Sequence, residues 1–352
     1  MTDAPDRSPM EPVRLAQVGV GYWGRNMLRA LRALPEADVR WACDRRPDAR
    51  AAADAPGLQT AEHLEEALRD DAVEAVVVAT ETPAHYETAR MALQAGKHVF
   101  VEKPLAQTAE EAAELVHLAE DRDRVLMVGH LLLHHPAYRD VLGRVARGEL
   151  GDVRYVYSVR VNLGIVRETE SAFDSLAPHD LAVALALTGS QPVSVACQGQ
   201  AFLRPGVDDV AFAVVRFENG ALAHLHTSWL DPHKVRRTTV VGSRKMAVVD
   251  DMEAAEKVRL YDKGADVTPG TPTTDDGYAS FAEAVAVRSG DIVIPRVPSA
   301  EPLRLEMLDF VQAVRHGRPS RTDGRQGLAV VQLLDAARRS ARSGGSPVDL
   351  PR

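Results

Sequence analysis

Cysteine is nearly missing from this chain. Cys43 and Cys197 are the only two in 352 residues, too few for a disulfide framework and without the paired spacing of a zinc site. A reducing compartment suits such usage, and a cytoplasmic location is expected. Long apolar runs are missing as well. No stretch approaches the roughly 20 residues that span a bilayer. Residues 1–12 carry Asp3, Asp6, Glu11 and three prolines where a signal peptide needs an apolar segment, so they are expected to form a flexible tail. Positive charge is not in excess either: 42 basic against 50 acidic residues give a formal charge of -8. That balance disfavours nonspecific nucleic-acid or anionic-membrane binding, and neither partner is expected. What is present, 45% hydrophobic and 26% charged residues, describes a soluble globular protein with room for two domains.

The first half alternates strands and helices. Val13–Val18 reads as a strand that runs into Gly19-Val20-Gly21-Tyr22-Trp23-Gly24 and then a helix to about Leu34. In such a loop Gly19 allows the tight turn, Gly21 lets the backbone approach a pyrophosphate, and Gly24 permits close packing of helix on strand. The helix start offers free N–H groups to phosphates. A second strand, Asp38–Cys43, is followed by Asp44, 20 residues after Gly24, where an acid can hold the ribose hydroxyls. Asp44 favours NAD, because a carboxylate repels the 2′-phosphate of NADP; Arg45 and Arg46 beside it leave NADP open. After the apolar strand Ala75–Ala79, Thr80, Thr82, Pro83 and His85 fall where side chains face a cofactor, with Pro83 suited to a first helical turn. Thr108 and Glu111 have capping-box spacing, and Val125–Gly129 closes the set. Right-handed crossovers stack such units into a parallel Rossmann-type sheet over residues 13–129.

Lys103 is the charged residue this half delivers to a strand end. Gly96 fits the residue past a helix, Val99-Phe100-Val101 form a buried strand, and Glu102-Lys103-Pro104 follow at its carboxyl end, where ligands bind in open α/β sheets. Pro104 forces the chain to turn there.

Residues 130–352 read differently, as an α+β substrate-binding and oligomerisation domain. Beyond a helix near 136–147, strands are expected at Val153–Val161, Val193–Leu203, Asp209–Glu218, Ala221–Trp229, Val235–Val241 and Lys245–Val249. Asn219-Gly220 joins two of them as a tight hairpin. Helices are expected near Asp180–Leu187, Leu303–Arg315 and Gln326–Arg342. Residues 264–302, rich in Thr, Pro, Gly and Asp, give no clear pattern. A large, mostly antiparallel open sheet follows, and its uncovered face is expected to form a homo-oligomer. His130, His134 and His135, and also His224, His226 and His233, lack acidic or cysteine partners at ligand spacing, so no metal is expected.

The glycine loop with Tyr22-Trp23, the Glu102-Lys103-Pro104 turn and the Pro178-His179-Asp180 stretch together resemble the Gfo/Idh/MocA oxidoreductases over nearly the whole chain. That resemblance implies a Rossmann domain followed by a domain with an open sheet, and interconversion of sugar or cyclitol hydroxyls and ketones with a nicotinamide cofactor. It implies catalytic roles for Lys103, from the cofactor domain, and His179, from the second domain. Many relatives carry an aspartate four residues before the histidine; here Ser175 stands there, with Asp174 one place earlier. Arg160-Val161-Asn162-Leu163-Gly164 and Ser175–Asp180 resemble a subgroup associated with nucleotide sugars, including UDP-N-acetylglucosamine 3-dehydrogenases. The substrate-side candidates are His130, which directly follows the last strand of the first half, Ser175, and Arg160, Asn162, Arg167 and Lys234, which together with Arg236 and Arg237 could grip a diphosphate. The expected activity is NAD-dependent oxidation at C3 of a UDP-linked amino sugar. The alternatives are a free-sugar or inositol dehydrogenase, a sugar ketoreductase, and a noncatalytic dinucleotide-binding sensor.

Overall fold

The computed structural model describes residues 11–267 and 285–351. The chain divides into two compact units, a first that runs to His135 and takes in Ala300–Gln332, and a second from Pro136 to Ser299 with the chain from Leu333 on.

The first unit holds β1 (Val13–Val18), α1 (Tyr22–Arg32), β2 (Ala37–Cys43), α2 (Pro47–Ala53), β3 (Gln59–Ala61) and α3 (Leu64–Leu68). It continues with β4 (Ala75–Val78), α4 (His85–Gln94), β5 (His98–Glu102), α5 (Ala109–Asp121) and β6 (Leu126–Gly129). The six strands form one parallel sheet in the order β3-β2-β1-β4-β5-β6. Strand side chains alternate between two cores. Val76, Val78, Val99, Val101 and Val128 pack under α4 and α5 with Leu93 and Leu115. Leu15, Val77, Phe100 and Met127 point the other way, onto Met27 and Leu31 of α1.

That second face is completed by α8 (Pro302–His316), which brings Met307, Phe310 and Val311 into the same core. Phe310 meets Phe100 edge to face at 5.7 Å between centroids. Residues expected to belong with the second half thus cover the first sheet, because α1 and α2 alone leave Phe100 and Met127 without apolar cover. Thr108 caps α5 through the expected box, accepting from the Glu111 N–H at 3.2 Å.

In the second unit lie α6 (Pro136–Ala146), β7 (Val153–Val161), α7 (Ala172–Thr188), β8 (Pro192–Gln200), β9 (Val210–Phe217) and β10 (Leu222–Ser228). These are followed by β11 (Val235–Gly242), β12 (Met246–Asp250), β13 (Val258–Val267) and β14 (Val285–Val293). Helix α9 (Gly324–Arg342) starts in the first unit and ends in this one, before β15 (Val348–Asp349). The nine strands run in the order β14-β13-β12-β11-β7-β10-β9-β8-β15, antiparallel except for β7 with β10. Asn219-Gly220 makes the expected hairpin, with Gly220 at φ +83°. Strands β13 and β14 flank part of the stretch without a clear pattern; residues 268–284 within it lie outside the described residues.

Helix α7 begins eight residues before the expected Asp180. Ser171 caps it by accepting the Asp174 N–H at 3.1 Å, and the helix continues through Pro178. A proline inside a helix removes one N–H bond, which is why it reads as a boundary. Burial of Phe173, Ala177, Leu181 and Ala184 offsets that loss. Among the described residues, no helix is long and apolar enough to cross a membrane.

Candidate active site

In the first unit the site grows from the carboxyl ends of β1, β4 and β5. Gly19 adopts φ +87°, and a Cβ there would stand 2.5 Å from the Ala79 carbonyl oxygen, so only glycine fits between β1 and β4. A Cβ on Gly24 would land on the Gly19 carbonyl oxygen. Buried Gln17 staples this loop, its amide donating to Gly19 O at 3.0 Å and Gly24 O at 2.7 Å. Gly21 precedes α1, whose first turn has no side-chain cap, leaving that helix start available to phosphate. Tyr22 is 84% exposed and Trp23 partly so.

Asp44 follows β2 as expected. Its carboxylate accepts the Val20 N–H and the Arg46 N–H, both at 3.0 Å, and pairs with the Arg46 guanidinium. Burial alone would raise its pKa; the Arg46 N–H, the guanidinium and the Val20 N–H outweigh it and hold the group below the ordinary range. Arg46 rather than Arg45 neutralises this acid; Arg45 is exposed.

After β4, the buried hydroxyl of Thr80 has no partner, while Thr82 and Pro83 form a short 3₁₀ turn. His85, expected to face a cofactor, is buried instead. Its ring nitrogens contact the carbonyl oxygens of Pro104 (2.7 Å) and Thr80 (3.1 Å), tying the β4 loop to the turn after β5.

Glu102, at the end of β5, is also buried. Trp23 Nε1 donates to one carboxylate oxygen at 2.5 Å and the Lys103 N–H to the other at 3.0 Å, so Glu102 joins the glycine loop to the lysine turn. Burial raises its pKa against the pull of Lys103 and Trp23. Lys103 itself is half-buried, and the bond to Pro104 is cis. His130, expected at the substrate, is 1% exposed with neither ring nitrogen hydrogen-bonded. Burial, then the charges of Lys103 and His134, lower its pKa to about 3, so the ring is neutral.

Sequence reasoning did not single out Glu306 of α8. It is fully buried, neither carboxyl oxygen has a partner, and burial, then Glu102 and Asp309, raise its pKa well above the usual glutamate value. A charged carboxylate without donors is costly to bury, so Glu306 holds its proton. Only its position in an apolar helical stripe could have drawn attention to it.

In the second unit His179 sits mid-helix in α7, half-buried. The neighbouring Asp180 anchors that turn. Its carboxylate accepts from Arg160 Nε at 2.6 Å, Arg160 Nη2 at 3.1 Å and Ser158 Oγ at 2.7 Å, all buried. Burial would lower the Arg160 pKa, but Asp180 more than reverses this. Arg160, a candidate for gripping diphosphate, is therefore spent on holding α7 to β7. Asp174 accepts from Arg338 at 2.8 Å. Ser175 lies one turn before His179, with Asn162 half-buried at the end of β7 and Arg167 and Lys234 exposed. Arg236 is half-buried and pairs with Asp251, and Arg237 is exposed. Among the described residues no group of three or more His, Cys, Asp or Glu is placed to hold a metal.

The first unit fits a dinucleotide. The uncapped helix start, the Gly19 cradle and the orphaned Thr80 hydroxyl lie around the ends of β1 and β4, the point where strand order reverses.

Comparison with known proteins agrees. Residues 13–130 match the family described as "Oxidoreductase family, NAD-binding Rossmann fold", and residues 138–248 match the "GFO/IDH/MocA C-terminal domain". The chain is 31% identical over 260 residues to UDP-N-acetylglucosamine 3-dehydrogenase of Acidithiobacillus ferrooxidans, covering 74% of this chain and 76% of that one. A solved structure of that enzyme superposes with a TM-score of 0.78, covering 95% and 99% of the two chains at 27% identity. It is 25% identical over 299 residues to scyllo-inositol 2-dehydrogenase (NAD(+)) of Bacillus subtilis, 81% and 80% of the two chains. The structure of GenD2 from gentamicin A biosynthesis, in complex with NAD, matches with a TM-score of 0.79 over all of both chains at 25% identity. The chain belongs to the Gfo/Idh/MocA family of NAD-binding oxidoreductases.

Proposed function

We propose that this oxidoreductase uses NAD to oxidise the C3 hydroxyl of a UDP-linked amino sugar. The observation that carries this reading is the 31% identity, over three quarters of both chains, with a UDP-N-acetylglucosamine 3-dehydrogenase. Bound NAD would supply the hydride acceptor, held by the glycine loop Gly19–Gly24, Asp44 and the Thr80–Pro83 turn.

Alcohol oxidation also needs a group to take the hydroxyl proton and a charge to stabilise the alkoxide. His179 is assigned the proton, since a histidine titrates near working pH. Lys103 is assigned the alkoxide, as a cation fixed at the end of β5 by the Glu102–Trp23 link. Orientation of the reactants can supply roughly 7–11 kcal/mol of the barrier, which fits a site built from rigid strand ends. His85 and His130 are assigned to supporting the loops. Arg167 and Lys234, exposed and without an ion-pair partner among the described residues, are the cations assigned to the diphosphate.

A panel of UDP-amino sugars, free sugars and inositols with NAD and NADP, read as reduced nicotinamide, tests the assignment. Turnover of UDP-N-acetylglucosamine with NAD is expected; turnover of free inositol with no nucleotide sugar would overturn it. The similarity to scyllo-inositol 2-dehydrogenase is what favours that second reading.

Oligomerisation is assigned to the sheet face opposite α7. There Tyr155, Tyr157 and Phe212 are 37–46% exposed, and Tyr157 and Phe212 stack on His224 and His226.

A further inference from the structure

At the amino ends of β5 and β6, the opposite end of the parallel sheet from Lys103, the first unit has an open cavity of about 500 Å³. His98, Arg124 and Ser320 are among its polar walls, and Val116, Leu126 and Val314 among its apolar ones.

The polar groups present donors to one another. His98 Nδ1 accepts the Val125 N–H at 2.9 Å, so a neutral ring carries its proton on Nε2. Burial and the Arg124 charge lower the His98 pKa and favour that neutral form. Nε2 lies 3.3 Å from Arg124 Nη1, which has only hydrogens to offer. The Arg124 Nε is buried without a partner, and no carboxylate pairs with this guanidinium among the described residues. Ser320 is 9% exposed, and its buried hydroxyl is likewise unpartnered.

Of the other charges around the cavity, Arg318 binds Asp309, Arg325 binds Glu120, and Asp323 accepts the Gln326 N–H; Asp123 is exposed, and its charge acts on His98 more weakly than that of Arg124. Donors left facing donors in a partly buried space are costly, and an oxyanion is the group that satisfies an arginine fork, an imidazole N–H and a hydroxyl together. We propose that this cavity binds a small oxyanion, a phosphate or carboxylate group, at Arg124, His98 and Ser320.

The test titrates inorganic phosphate, and separately malonate, into the full-length protein saturated with NAD, so that the glycine loop is already filled. Calorimetry should show one saturable site, and the ¹⁵Nε signal of Arg124 should shift. Arg124→Gln and Ser320→Ala should each weaken binding at least tenfold. Tighter phosphate than malonate identifies a phosphate-bearing ligand, and the reverse a carboxylate. No saturable binding of either anion, or equal binding by wild type and Ser320→Ala, overturns the proposal. Ser320→Ala decides the matter should Arg124→Gln fail to fold.

Discussion

Glu306 shows how much a single side chain can carry without a sequence motif. Its carboxyl is buried, without a hydrogen-bond partner, and near Glu102. A group whose folded pKa is raised contributes stability below its unfolded pKa and loses that contribution as pH rises towards the folded value. Glu306→Gln removes this penalty. The variant should match wild type at pH 4, then gain on it by about 1.4 kcal/mol per pH unit once past the ordinary glutamate value, levelling off above the raised pKa. Urea unfolding midpoints across pH check this, and parallel curves would refute a protonated Glu306. Gly24 makes a second test: its added Cβ meets backbone rather than a flexible side chain. Gly24→Ala should lower NAD affinity at least tenfold in a fluorescence titration; an unchanged affinity would remove the close helix-on-strand packing as its basis. The places of the glycine loop after β1, Asp44 after β2 and Lys103 after β5 were legible because short-range spacing defines them. The Trp23–Glu102 bond, 79 residues apart, and the inward turn of His85 were not, since nothing local encodes them.

Among elements, those that read clearly had one strong period. Strands β4 and β6 are apolar runs buried on both faces and β5 has one at Val99–Val101, and β9 and β10 alternate about a turn that only one geometry suits. Strand β3 has three residues and β15 two, too few for any period to show. Helix α7 hid its start because Pro178 suggests a boundary where the cap is in fact Ser171. That helix depends on the buried Arg160–Asp180 pair. Asp180→Asn leaves the Arg160 charge without its carboxylate and should destabilise the protein by about 3–5 kcal/mol, measured by urea unfolding. A loss below about 1 kcal/mol would mean that the pair contributes no more than a surface ion pair.

For the whole molecule, the order of units along the chain was legible and the return of α8 to the first sheet was not. An amphipathic helix declares which of its faces is apolar, but not which sheet it will cover. The exposed aromatic face of the nine-stranded sheet leads to another expectation: Tyr157→Arg together with Phe212→Asp should shift the protein to a smaller species in analytical ultracentrifugation with its fold intact. An unchanged sedimentation coefficient would remove this face as the assembly surface.

In the proposed reaction Lys103, held at the end of β5, carries the charge stabilisation for NAD-dependent oxidation of a UDP-amino sugar. Reduced nicotinamide formation from UDP-N-acetylglucosamine, compared between wild type and Lys103→Met at saturating NAD, tests it most directly. Turnover should fall by about a thousandfold with NAD affinity nearly unchanged. Retained turnover in Lys103→Met would contradict it.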